Sequence, residues 1–234
     1  MIEIRGLSVE FGAVKAVDAL DAVLDDPVCG LIGPNGAGKT TLVNLLSGFV
    51  TATRGQVLVN GTDLLPMSLS QRVRFGLRRS FQTEQVVEDL SVWDNVRAML
   101  DHVPHASGSA REQVARALEH AGLISVATVE GAQLNLFQRR MVEVAKALVG
   151  QPRLILFDEP GAGLDEHESQ ALRDAIARIP ACFDAQVLLI DHDVDLIAAI
   201  CSQTLVMDFG RRLALGPTRA VLDDAEVRRA YLGT

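Results

Sequence analysis

The chain has 234 residues, which fits one large α/β domain with a subdomain better than two unrelated domains. Acidic side chains outnumber basic ones by 30 to 22, and the net charge of −8 argues against nucleic acid as a partner. Hydrophobic residues reach 48%, yet no apolar run approaches the roughly 20 residues of a membrane-spanning helix.

The first quarter of the chain predicts two strands, a third strand, a glycine loop and a helix. Residues 2 to 9 and 14 to 23 alternate between apolar and polar side chains, which is typical of an antiparallel pair. A short apolar strand, residues 28 to 32, leads into the loop. Leucines at helical spacing then predict a helix over residues 39 to 46 that ends at Gly48.

The remainder predicts a helical insertion followed by alternating strands and helices. Helical segments such as residues 110 to 121 indicate a subdomain between about Leu64 and Leu123. Strands alternating with helices imply a parallel sheet with helices packed on it. The predicted elements are a helix from Phe137, a strand over 154 to 157, a helix over 167 to 179, a strand over 186 to 190, a helix over 194 to 200, a hairpin over 204 to 215 turning at Gly210, and two short helices.

Other features bear on the compartment and the surface. Residues 1 to 5 lack the basic and apolar segments of a secretion signal, and cytoplasmic residence is the expectation. Cys29, Cys182 and Cys201 are far apart and are interpreted as buried thiols rather than a disulfide framework or a metal site. The basic pairs Arg78-Arg79 and Arg139-Arg140 are interpreted as solvated faces.

The glycine loop fits the phosphate-binding pattern G-x-x-x-x-G-K-[ST] at every fixed position. Its glycines allow backbone N–H groups to point at phosphates, Lys39 reaches the β and γ phosphates, and Thr40 supplies a hydroxyl to Mg²⁺. The flanking strand and helix are the context that this motif requires. The candidate nucleotide-binding residues are therefore Gly33, Pro34, Asn35, Gly36, Ala37, Gly38, Lys39, Thr40 and Thr41.

Two carboxylates, Asp158 and Glu159, follow the apolar strand Leu154 to Phe157. Parallel sheets bind ligands at such strand ends. Asp158 is predicted to hold the magnesium shell, and Glu159 to polarise the attacking water as a general base. An acidic turn without function is the alternative.

A histidine, His192, lies two residues after the next strand and is predicted at the same sheet edge as Glu159. A neutral imidazole there is suited to bond the γ-phosphate or to orient the water. An ordinary loop residue with local hydrogen bonds to Asp191 and Asp193 is the alternative.

In this order and over the full length, these motifs resemble the ATP-binding subunit of an ABC transporter. The resemblance implies a P-loop NTPase of the α/β class, with a RecA-like core of the ABC type, an antiparallel β subdomain and an inserted helical subdomain. It implies an ATP-binding core over residues 1–63 and 150–234 and a helical subdomain over about 64–149. The branched-chain (hydrophobic) amino-acid uptake group is the most similar, on residues 158 to 165, 191 to 193 and 229 to 233.

The resemblance also assigns roles to residues that are unremarkable by themselves. Phe11 corresponds to the loop that stacks on adenine, although the sequence alone favours a core phenylalanine. Gln82 corresponds to the Q-loop, whose amide reaches the metal or the water. Asp165 corresponds to the D-loop and is expected to bind the nucleotide, and His192 corresponds to the switch histidine.

The signature Leu-Ser-Gly-Gly-Gln is degenerate, since its place reads Leu134-Asn135-Leu136-Phe137-Gln138. In the family this segment faces the γ-phosphate held by the other ATPase subunit. Asn135 still suits a helix cap, whereas Leu136 and Phe137 add bulk where glycine allows close approach. A heterodimer with a second ABC ATPase that carries a full signature is therefore expected; a tolerated change and a homodimer are the alternative.

The expected function is ATP hydrolysis coupled to transport by integral-membrane permease subunits, with ATP and Mg²⁺ as cofactors. The expected location is cytoplasmic, peripheral on the inner face of the cell membrane. The cargo implied by the resemblance is branched-chain or hydrophobic amino acids or related small polar solutes. The alternatives are a lipid or lipopolysaccharide export ATPase, a regulatory subunit with little hydrolysis, and a soluble ABC ATPase outside transport.

Overall fold

The computed structural model describes residues 1–81, 83–103 and 108–232. For residues 231 and 232 it describes the backbone alone. Ten strands lie within these ranges: β1 (Ile2–Phe11), β2 (Val14–Leu24), β3 (Val28–Ile32), β4 (Arg54–Val59), β5 (Thr62–Asp63), β6 (Leu77–Arg79), β7 (Leu154–Asp158), β8 (Gln186–Ile190), β9 (Gln203–Asp208) and β10 (Arg211–Pro217).

Nine α-helices lie within the same described ranges, and short 3₁₀ or π turns connect several of them. The helices are α1 (Lys39–Ser47), α2 (Leu69–Phe75), α3 (Val92–Arg97), α4 (Ala110–His120), α5 (Leu136–Leu148), α6 (Glu166–Phe183), α7 (Val194–Ile200), α8 (Thr218–Asp223) and α9 (Ala225–Val227). No helix among the described residues is both long and apolar enough to span a bilayer.

The chain divides into two compact units, of which the first comprises residues 1–72 and 186–234. One antiparallel sheet in this unit has the strand order β2-β1-β4-β5. The predicted pairing of the first two strands is confirmed, whereas β4 and β5 were not predicted. Apolar side chains of β1, among them Ile2 and Leu7, are buried.

A second set of strands in this unit has the order β10-β9-β3-β8. Strand β3 pairs in parallel with β8 and β9, and β9 forms an antiparallel hairpin with β10. All five residues of β3 are buried, as expected for a central parallel strand. Helix α1 follows β3 and buries Leu42, Leu45 and Leu46. Gly48 ends it in the left-handed conformation, as predicted.

The second unit comprises residues 73–185. Strands β6 and β7 pair in parallel within it, with Leu77 opposite Leu154. Helices α3 to α6 belong to it, and α4 and α5 bury apolar side chains such as Val114, Leu118 and Val144. Capping boxes begin α4, α5 and α6, so each start is set by local sequence. The predicted α/β class is confirmed, while the predicted boundaries at 63 and 149 stay a prediction.

Two predictions about single side chains are wrong. Cys29 and Cys201 are buried as predicted, but Cys182 is exposed near the end of α6. Arg78 and Arg140 are buried, because they donate to backbone carbonyls rather than to water. Burial lowers the pKa of Arg78 to about 10. The Arg78 guanidinium donates to several carbonyl oxygens at once, and that of Arg140 reaches one carbonyl oxygen and the carboxylate of Glu84, which a sequence count of charges does not reveal.

Candidate functional site

The glycine loop lies between β3 and α1, where the backbones of two other strands come close to it. Gly33 has a φ of +150° and Gly38 a φ of +102°. A Cβ added at Gly33 would overlap the carbonyl oxygen of Met207, and one at Gly38 would overlap that of Ala16. The first and third glycines of the motif are therefore required by close backbone approach as well as by conformation.

The Lys39 side chain folds back onto the glycine loop that precedes it. Its Nζ donates to the carbonyl oxygens of Gly33, at 2.6 Å, and Pro34, at 3.0 Å. The Ala37 N–H also donates to Pro34 O at 3.1 Å, which makes the loop a tight turn. An ammonium group is thus held beside the backbone of the loop, where it is placed to meet a phosphate.

The start of α1 suits an anion. Gly38 is the N-cap and offers no side-chain acceptor to the first amides of the helix. These N–H groups and the helix dipole favour negative charge at this end. Together with Lys39, and with the exposed Thr40 as an oxygen donor, the residues present fit the phosphates of a nucleotide.

The turn of the β9–β10 hairpin also contacts the glycine loop. This contact was not predicted from the sequence. Gly210 N–H donates to Ala37 O at 2.9 Å, and Gly210 O accepts from Asp18 N–H at 2.8 Å. Phe209, the residue before it, has a φ of +43° and is 85% exposed. The turn at Gly210 was predicted, but its contact with the loop has no sequence signal because it joins residues far apart in the chain.

Phe11 ends β1 beside the tight connection to β2. Its side chain is 54% exposed, and Val14, which pairs with it, is also exposed. The core position that the sequence alone favours is therefore wrong. An exposed aromatic ring is available to stack on a planar ligand.

His192 follows β8, and β8 is the parallel neighbour of β3, with Ile190 opposite Leu31. The structure therefore brings His192 and the glycine loop to the same edge of one sheet. The His192 side chain is 69% exposed, and its Nδ1 lies 3.6 Å from Oδ1 of the buried Asp191. Asp191 Oδ1 accepts the Asp193 N–H, and Asp193 caps α7. Burial raises the pKa of the Asp191 carboxyl.

Asp158 is the last residue of β7, and the whole strand is buried. Its Oδ2 accepts a hydrogen bond from Arg79 Nη2 at 3.0 Å, so the carboxylate forms an ion pair within the protein. Carboxylate and hydroxyl oxygens are ligands that Mg²⁺ prefers, and Asp158 and Thr40 fit such an ion chemically. Among the described residues no cluster of three or more acidic, histidine or cysteine side chains forms a metal cage.

Glu159 follows Asp158 in a left-handed conformation, with a φ of +51°. Non-glycine residues adopt it at a cost of about 1 kcal/mol or more, and such outliers concentrate at functional positions.

Asp165 is exposed and caps α6, where its Oδ1 accepts the Glu168 N–H at 2.9 Å. Its nucleotide-binding role stays a prediction. Gln82, predicted to reach the metal, lies outside the described residues.

The degenerate signature forms the start of α5. Asn135 caps it in a reciprocal pair with Gln138, at 2.8 and 3.1 Å, as its residue type predicts. Leu136 is 39% exposed, and its Cδ2 lies 3.1 Å from where a Cβ on Gly163 would be. Leu136 thus packs on the segment between Glu159 and Asp165.

The chain is similar to known proteins over most of its length. The family model described as ABC transporter matches residues 23–162. A high-affinity branched-chain amino acid transport ATP-binding protein of Pseudomonas aeruginosa, BraF, is 31% identical, over 100% of this chain and 98% of the relative. The lipopolysaccharide export system ATP-binding protein LptB of Acidithiobacillus ferridurans is 35% identical, over 88% of this chain and 85% of the relative.

A solved structure agrees over the same length. The ADP conformation of an ATP-binding cassette of an ABC transporter superposes with a TM-score of 0.88 and 25% identity, covering 100% of this chain and 99% of that chain. The predicted fold, a P-loop ATPase of the ABC type, is confirmed.

Proposed function

Because the chain belongs to the ABC transporter family of ATP-binding proteins, we propose that it is the energy-coupling subunit of a membrane importer. It is an ATP-hydrolysing cassette that binds ATP. The cargo is branched-chain or hydrophobic amino acids or related small polar solutes. Support for this cargo comes from BraF, a relative over nearly its full length.

The observation that carries the proposal is the arrangement of the glycine loop around Lys39. The ammonium group rests on the carbonyl oxygens of Gly33 and Pro34, at 2.6 and 3.0 Å. A triphosphate in the loop offers Lys39 stronger, charged acceptors than these neutral carbonyls. When phosphate binds, the Lys39 ammonium therefore exchanges its bonds to the loop carbonyls for bonds to the ligand. The N–H groups at the start of α1 bind the same phosphate.

The proposed chemistry assigns a role to each candidate residue. Thr40, Gln82 and Asp158 are the residues that would hold Mg²⁺, which when bound would supply positive charge to the phosphates. Glu159, held in a left-handed backbone conformation, accepts a proton from the attacking water. His192 orients the γ-phosphate or the water from the edge next to the loop. Phe11 stacks on the adenine, and Asp165 contributes to the nucleotide site.

We place the working cassette in a heterodimer with a second ABC ATPase. Two observations on α5 support this pairing. The Asn135 side chain already accepts the N–H of Gln138, so its oxygen is engaged within the chain. The partly exposed Leu136 puts an aliphatic group at a helix start that would face a phosphate, and an aliphatic group offers that phosphate no hydrogen bond.

The ATPase activity of the purified chain alone tests the pairing. We expect slow turnover, and the triple variant Asn135→Ser, Leu136→Gly, Phe137→Gly should accelerate it by restoring two complete composite sites. The same variant carrying Lys39→Ala is the matched control and should stay slow. Brisk, cooperative hydrolysis by the unmodified chain would refute the heterodimer.

The transporter role is tested by affinity purification from native membranes. We expect integral-membrane permease subunits and a second ABC ATPase to co-purify, with the chain held peripherally on the inner face of the membrane. The purified complex in proteoliposomes should take up leucine in an ATP-dependent manner, and the complex containing Lys39→Ala should not. Purification without any membrane protein would contradict the role.

A lipopolysaccharide exporter is the second candidate, favoured by the similarity to LptB over 88% of this chain. The same purification separates the two functions. Co-purification with lipopolysaccharide-binding components, and no amino-acid uptake, would support export. A regulatory subunit with little hydrolysis would instead leave the complex active when Glu159 is replaced by glutamine.

A further inference from the structure

A buried ion pair joins Asp158, at the end of β7, to Arg79, at the end of β6. Arg79 Nη2 and Asp158 Oδ2 are 3.0 Å apart, and each side chain is only 9% exposed. Such a pair is coupled far more strongly than a surface pair, because water does not screen it. Loss of one partner leaves the other charge buried without its counterion.

Further contacts connect the same two segments. Ser80 N–H donates to Leu156 O at 2.9 Å, and Asp158 N–H donates to Ser80 Oγ at 3.3 Å. The guanidinium carbon of Arg79 lies 5.0 Å from the ring centroid of Phe81, within range of a cation–π contact. Arg79 and Ser80 are therefore connected to β7 by backbone, side-chain and charge interactions, and Phe81 lies against the Arg79 guanidinium.

We propose that Arg79 is a positioning residue that balances the charge of Asp158 without metal and opposes Mg²⁺ when the metal arrives with the nucleotide. The inference rests on the proposed function, in which Asp158 belongs to the magnesium shell. A guanidinium and a divalent cation beside one carboxylate repel each other. Arg79 thereby stabilises the metal-free cassette and reduces the gain in nucleotide affinity that magnesium provides.

The quantity that tests this is a ratio of two dissociation constants. The Kd of the non-hydrolysable analogue adenylyl imidodiphosphate is measured in EDTA and in excess Mg²⁺, and the first is divided by the second. Arg79→Gln keeps a hydrogen-bond donor but removes the charge, and we expect it to raise the ratio about tenfold or more. Arg79→Lys keeps the charge and is the matched control, with a ratio within about twofold of the unmodified chain.

Thermal unfolding gives a second readout that does not depend on nucleotide affinity. Arg79→Gln should lower the Tm in EDTA more than it lowers the Tm with Mg²⁺ and the analogue, because the ion then supplies the missing positive charge. Equal losses in both conditions would indicate a merely structural role and overturn the inference.

Asp158→Asn separates failure of this inference from failure of the proposed function. An unchanged ratio in Asp158→Asn alone would reject Asp158 as part of the magnesium shell. If Asp158→Asn lowers the ratio while Arg79→Gln leaves it unchanged or lowers it, only the role of Arg79 is refuted. In the double variant Arg79→Gln with Asp158→Asn, the ratio should equal that of Asp158→Asn alone. If Arg79→Gln raises the ratio as much in the Asp158→Asn background as in the unmodified chain, Arg79 does not act through Asp158.

Discussion

Replacing Gly38 by alanine should destabilise the chain more than the same change at Gly61. Gly38 has a φ of +102°, and an added Cβ would lie closer than 3.0 Å to the Ala16 carbonyl oxygen and 3.2 Å from Met207 Cε. Gly61 has a φ of +78°, but an added Cβ meets nothing within 4 Å. Both alanines adopt a left-handed backbone at about 1 kcal/mol, and only Gly38→Ala adds an overlap costing about 1–3 kcal/mol.

Urea denaturation without nucleotide measures both free energies of unfolding. We expect Gly61→Ala to lose about 1 kcal/mol and Gly38→Ala about 2–4 kcal/mol, the sum of the two costs above. ATP affinity should fall only in Gly38→Ala, since moving Gly38 displaces Lys39 and the start of α1. Equal losses of stability and unchanged ATP affinity in both variants would refute the reasoning from close backbone approach.

Three further substitutions test other parts of the site. Glu159→Gln should keep ATP binding and slow hydrolysis about 10²- to 10⁴-fold. The control Glu166→Gln, at an exposed residue, should hydrolyse ATP at the rate of the unmodified chain. Unchanged turnover in Glu159→Gln would reject Glu159 as the base. Asn135→Ala removes the acceptor of the Gln138 N–H and should cost about 1 kcal/mol in urea denaturation; an unaltered midpoint contradicts the cap. Burial raises the pKa of Asp191 above 3.8, so the free energy of unfolding falls as pH rises through the raised value. Asp191→Asn should flatten this pH dependence. Parallel pH profiles of the two proteins would show that Asp191 does not cause it.

Much of the phosphate site could be predicted because its information is local. Consecutive residues from Gly33 to Thr40 fix the loop, and the apolar runs on either side fix the strand and the helix. The helix starts at Asn135 and Asp165 are similarly encoded, since each cap bonds a residue three positions on. Strands β4 and β5 were missed, since β5 has only two residues and β4 follows a turn without a strong period-two signal.

Burial of charged residues could not be predicted from the sequence. Arg78 and Arg140 read as solvated basic pairs, but their guanidinium groups reach carbonyl oxygens that other segments present. Phe11 was favoured as a core residue, yet its position at the end of a hairpin leaves it exposed. For both arginines part of the environment is made by residues distant in the chain, Val149 for Arg78 and Ala162 for Arg140, which composition and periodicity do not report.

The sequence by itself determined the family, the nucleotide loop and the departure at Leu134 to Gln138, because these depend on residue types at fixed spacing. Only the tertiary structure decided which groups hold that loop and which charges are paired. The close approach of Gly38 to the Ala16 carbonyl, the bond from Gly210 to Ala37 and the ion pair of Arg79 with Asp158 all join distant segments. Such contacts arise from strand pairing and burial, so they exist only once the chain has folded.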